Sequence, residues 1–164
     1  MALPSVDPAT RRTLRRAAEA VLVPVEGYRL REPDGRAAAV ITGLALPVIV
    51  SAFGEDVPPG MLMREVMQEN SQYGFVLVTV VPRRDADQEL ADGAAFQLTG
   101  VLAQLQTPPA VEEIAGQQVN RLVNPDNAAH VVTWAPDGAT VVAVVIFGPE
   151  RAEEIAEALI TGAR

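Results

Sequence analysis

The sequence predicts a single α+β domain spanning residues 1–164, an antiparallel sheet of about seven strands with three or four helices packed against it. Three observations predict it. At 164 residues the chain fits the ordinary size of one domain and can bury its own core. Its hydrophobic share of 49% and charged share of 21% are those of a globular, soluble protein rather than a disordered chain or a coiled coil. Apolar runs of strand length come in groups separated by turn residues, with helical periodicity between them, which suits an antiparallel sheet better than a βαβ alternation.

The first element is a helix over residues 8–23. Asp7 is its N-cap, Pro8 stands at the first helical position, and Leu14, Ala17, Ala18, Val21 and Leu22 recur at helical spacing. Strands are predicted over 28–31, 37–42 and 44–53, with Pro33-Asp34-Gly35 as a hairpin turn between the first two. Pro47 would remove a ladder donor and puts the third strand at an edge or a bulge. Residues 61–69 are predicted as a short, largely covered helix. The nearly unbroken apolar run over 73–81 predicts a strand buried on both faces.

Leu90, Ala94, Leu98, Val101, Leu102 and Leu105 predict a helix over 87–105, although Gly93 and Gly100 each weaken it by about 1 kcal/mol relative to Ala. Strands follow over 111–115, 118–123, 128–135 and 139–147, the last two joined at Pro136-Asp137-Gly138. A final helix over 150–160 carries acidic residues in its first turn and Gly162 as a C-terminal cap. No repeat or linker marks a domain boundary.

Composition narrows the chemistry. Without cysteine there are no disulfides, thiolate metal sites or thiol nucleophiles. The 13 basic residues are all Arg, a usage that fits a GC-rich bacterial genome. A net charge of −8 argues against nucleic acid as a partner, since phosphate contacts need a positive footprint. The longest apolar runs, 44–50 and 141–147, are strand-sized, and no signal peptide is visible. The expectation is therefore a cytoplasmic chain without a transmembrane segment.

No catalytic set assembles. Ser5, Ser51 and Ser71 lie outside any nucleophile elbow. The single histidine, His130, shares a strand face with Val132 and Trp134, where a structural role outweighs that of a general base, and one histidine does not make a zinc site. Glu112-Glu113 and Glu153-Glu154 read as solvated acids rather than a catalytic dyad. Phosphate-loop glycine patterns are absent. Hence no cofactor and no enzymatic activity are expected; the alternatives are a small enzyme with an Asp/Glu/Arg pocket or a structural subunit of a larger assembly.

Two features stand out. Arg11, Arg12, Arg15 and Arg16 form two i,i+4 pairs and give residues 1–18 a charge of +3 against −11 for the rest. They suit either a docking face for an acidic protein or a peripheral contact with an anionic membrane, or else a solvated helix face. Met61, Met63 and Met67 suit either an adaptable binding surface or core filling. Trp134 is expected to anchor the last hairpin with its ring half buried.

The stretches Ile114-Ala115-Gly116-Gln117-Gln118-Val119, Val131-Val132-Thr133-Trp134-Ala135-Pro136-Asp137-Gly138 and Ala152-Glu153-Glu154-Ile155-Ala156-Glu157-Ala158-Leu159 follow one another in a familiar order. This order of features resembles the C-terminal part of PsbP-like and lipoprotein-carrier-like α+β domains, over less than a third of the chain. The resemblance implies a non-enzymatic platform that holds a protein or an apolar ligand, and carries over no binding residue. The resulting expectation is a binding or adaptor module, homo-oligomeric, whose partner is another protein or its own subunits, held through the four arginines or the three methionines.

Overall fold

The structure is a computed structural model that describes residues 7–53, 60–81, 87–148 and 152–163. Its first helix, α1 (Pro8–Val21), starts where the sequence places it. Asp7 Oδ1 accepts from the backbone N–H groups of Ala9 and Thr10 at 2.9 and 3.0 Å, and Thr10, Leu14, Ala18 and Val21 form the buried stripe. A three-residue strand, β1 (Arg29–Arg31), leads into α2 (Gly35–Phe53), followed by β2 (Gly60–Gln68), β3 (Ser71–Val80) and α3 (Gln88–Ala103). The chain then makes four consecutive strands, β4 (Ala110–Ile114), β5 (Gln117–Asn124), β6 (Ala129–Asp137) and β7 (Thr140–Phe147), before α4 (Ala152–Gly162).

The seven strands form one sheet in the order β1-β2-β3-β7-β6-β5-β4, antiparallel throughout. Its two halves meet where β3 pairs with β7, Gly74 opposite Ile146 through Val80 opposite Thr140. One face carries Val66, Val76, Val78, Val132, Trp134, Val142, Val144 and Ile146 beneath α1 and α4. The other carries Met63, Phe75, Leu77, Val131, Val141, Ala143 and Val145 beneath α2 and α3. Burial on both faces explains the unbroken apolar runs of β3 and β7, since each fully buried Val or Leu contributes about 1.5–3 kcal/mol. The fold class is α+β, as expected.

Two segments differ from the sequence reading. Residues 37–53, expected as two strands after a hairpin turn, are a single helix. Asp34 is not a turn residue but its cap, accepting the Ala37 N–H at 2.8 Å. Val40, Ile41, Val48, Ile49 and Val50 favour strands locally, yet Ala37-Ala38-Ala39 and Leu44-Ala45-Leu46 are strong helix formers. Pro47 is accommodated because it and Gly43, the residue four positions earlier that would have accepted its N–H bond, both lie on the exposed side of α2. The apolar elements are therefore not all strand-sized: α2 is one helix long and apolar enough, by length and composition, to cross a membrane.

Conversely, the helix expected over 61–69 is β2. Met61, Met63, Glu65 and Met67 point to the α2/α3 face, and Leu62, Arg64 and Val66 to the opposite one. The β2–β3 turn is Glu69-Asn70, with Glu69 at φ 55°, a tight hairpin without the usual Asn-Gly marker. Trp134 is buried rather than half buried. Pro58, Pro59, Glu150 and Arg151, which entered the readings of the flanking elements, lie outside the described residues.

Candidate binding clefts

Two clefts open on opposite faces of the sheet, each containing part of what the sequence singled out. The first, about 520 Å³, lies between α1 and the β1–β2 edge. α1 packs over β2 and β3, and α4 over β4, β6 and β7, so among the described residues no further helix lies over the outer corner of this face beside β1. Leu14, Ala18 and Leu22 of α1 and Leu30 and Leu62 of the sheet make an aliphatic floor. Arg11, Arg15 and Glu19 line it from the helix, and Glu32 and Arg64 from the sheet side.

Arg64 is the most confined of these charges, with its side chain 25% exposed. Its Nη1 donates to the carbonyl of Met63 at 2.9 Å, and Nη2 lies 3.5 Å from the Glu32 carboxylate, which is 82% exposed. Arg12 and Arg16 project from α1 away from this cleft into solvent. The four-arginine face of the sequence reading is thus divided, two residues at a cleft and two outside it.

The second cleft, about 440 Å³, lies on the other face where the N-terminal half of α2 crosses β2, β3 and the end of β7. Ala37, Val40, Ile41, Met63, Phe75 and Phe147 supply its walls, and Asp34, Arg36 and Gln72 its polar edge. Val40 and Phe147 are 61% and 55% exposed, an apolar pair left uncovered at the mouth. Gln72 is held by the buried Glu65 carboxylate, which accepts from Gln72 Nε2 at 3.4 Å and from Arg31 Nε at 3.0 Å. That pairing compensates the cost of burying Glu65.

The three methionines do not form a helical cluster. They share one face of β2, where Met63 and Met67 are buried, Met61 is partly buried, and Met63 alone lines the second cleft. Sequence reasoning missed Arg64, Leu30 and Leu62, whose common face is visible only once 61–69 is read as a strand. It also missed Val40 and Phe147, which come together from segments more than a hundred positions apart.

Elsewhere the polar side chains secure the fold. Arg121 joins β4, β5 and α4, donating to Glu112 Oε1 at 3.0 and 3.2 Å and reaching Glu153 Oε1 at 2.8 Å, so these two acids are ion-paired rather than merely solvated. His130 is buried on β6 opposite Ile146, on the face it shares with Val132 and Trp134. Among the described residues no three His, Asp or Glu side chains are grouped to hold a metal. Comparison with protein-family models, with characterised proteins and with solved structures gave no match.

Proposed function

We propose that this chain is a non-enzymatic binding module that holds an apolar ligand, or an apolar segment of a partner protein, in the cleft beneath α2. The observation that carries the reading is the exposed pair Val40 and Phe147 at the mouth of a cavity walled by Ile41, Met63 and Phe75. Its volume and composition, apolar walls with a few polar groups at one edge, are those of small-molecule sites. The resemblance within residues 114–160 to PsbP-like and lipoprotein-carrier-like domains supports the same kind of role.

The outer side of α2 extends the apolar surface. Ala39, Val40, Gly43 and Pro47 are exposed on it, and only Ala45 and Ile49 of the helix are fully buried. Homo-oligomerisation through this face would cover it.

Titration with Nile red, an uncharged apolar dye, tests the cleft. Wild-type protein is expected to bind it saturably, and Val40→Asp and Phe147→Asp, both at exposed positions, to weaken binding roughly tenfold or more. Unchanged binding in both variants defeats the reading. Sedimentation of the wild type and of Val40→Asp reports in parallel whether α2 mediates self-association.

A further inference from the structure

We infer that the cleft between α1 and the β1–β2 edge is a second, chemically distinct site, for an amphipathic monoanion: an aliphatic chain ending in a carboxylate. Three observations on the cleft lead there, none of which involves the α2 cleft. Its floor of Leu14, Ala18, Leu22, Leu30 and Leu62 is aliphatic without an aromatic ring, which suits a flexible hydrocarbon chain. Arg64 holds its guanidinium at the margin of that floor, three-quarters buried and fixed through Nη1 to the Met63 carbonyl. Its one carboxylate neighbour among the described residues, Glu32, is largely in water at 3.5 Å, a loose counter-ion that an entering carboxylate can displace.

Arg15, across the floor on α1, makes no ion pair among the described residues and supplies a second donor. A planar guanidinium offers a carboxylate two parallel N–H donors, the stronger form of charged hydrogen bond. Among the described residues the lining carries three arginines and two glutamates. Most of the helix that borders the cleft belongs to the segment 1–18, which carries a charge of +3 where the remaining residues carry −11.

Calorimetric titration of the full chain with dodecanoate below its micellar concentration tests the site, with dodecyltrimethylammonium as the probe of opposite charge. Dodecanoate is expected to bind and the ammonium compound not to. Arg15→Ala and Arg64→Gln should each weaken dodecanoate roughly tenfold or more, while Arg12→Ala and Arg16→Ala, outside the cleft, leave it unchanged. Arg15 is exposed, so its variant tests the site without risk to folding. No binding, equal binding of both amphiphiles, or equal losses from Arg12→Ala and Arg15→Ala would overturn the inference. So would dodecanoate binding that survives Arg15→Ala and disappears in Val40→Asp, which places the chain beneath α2. The Nile red result is read separately, so each cleft stands or falls alone.

Discussion

A methyl group on Gly74 would stand 1.8 Å from the carbonyl oxygen of Val145, inside the backbone of the neighbouring strand. The register of β2 against β3 shifts by one residue between Val66 and Met67, opposite Gly74 and Gln72, so the close approach lies beside a bulge in the sheet. Only glycine can keep β3 against β7 there. Gly74→Ala is expected to lose stability at or above the upper end of the range of about 1–3 kcal/mol typical of overpacking, measured by urea unfolding. A loss within about 0.5 kcal/mol would show that the strands separate at little cost.

Thr133, fully buried beneath α3, is the hub of a second fixed contact. Its hydroxyl lies 2.7 Å from both the Thr99 hydroxyl and the Ala95 carbonyl, and Asn120 Nδ2 donates to it at 3.2 Å. Thr133→Val keeps the shape and takes the acceptor from Asn120 Nδ2, while the Thr99 hydroxyl keeps its bond to the Ala95 carbonyl at 2.8 Å, at a cost of about 1–3 kcal/mol. The double variant Thr99→Val/Thr133→Val is expected to cost less than the sum of the single ones, since it removes facing hydroxyls together. Additive losses in denaturant melts would mean that the two hydroxyls act independently.

Asp7 makes the acid stability of α1 measurable. The Thr10 hydroxyl first, then the backbone N–H groups of Thr10 and Ala9, hold its carboxyl below the ordinary aspartate pKa. Because the folded value is the depressed one, the stabilisation is complete above the unfolded pKa, about 3.9, and is lost as pH falls through the folded value. Asp7→Ala should therefore melt below wild type by a constant margin between about pH 5 and 7, narrowing below about pH 4. A margin that widens in acid would contradict this sign.

What the sequence shows of this fold depends on how far each element is specified locally. Asp7-Pro8 caps α1 with its own side chains, and the four strands from β4 to β7 are separated by short turns, so their order and nearly their limits are legible. α2 and β2 are exchanged in the reading because neither has a polar face. α2 is apolar around nearly its whole circumference and shows no helical period, while β2 places Met61 and Met63 on one face and Leu62 and Val66 on the other. Each is decided by the layer it contacts, not by its own pattern. The clefts inherit that limit: Arg11 and Arg15 could be singled out as a charged pair, but Arg64 and Leu62 gain meaning only from the pairing of β2 with β3.

The strand order also sets a timetable for synthesis. β3 is made before residue 81, yet its partner β7 begins at Thr140. A half-sheet of β1, β2 and β3 formed before β7 is made would leave the apolar edge of β3 open. Loop closure over that distance comes late and slowly, and an open edge of this kind recruits other strands. The interval before β7 emerges from the ribosome is thus expected to be prone to aggregation. Chains interrupted short of Thr140 should depend on chaperones or aggregate, whereas those reaching Phe147 can seal the sheet by themselves.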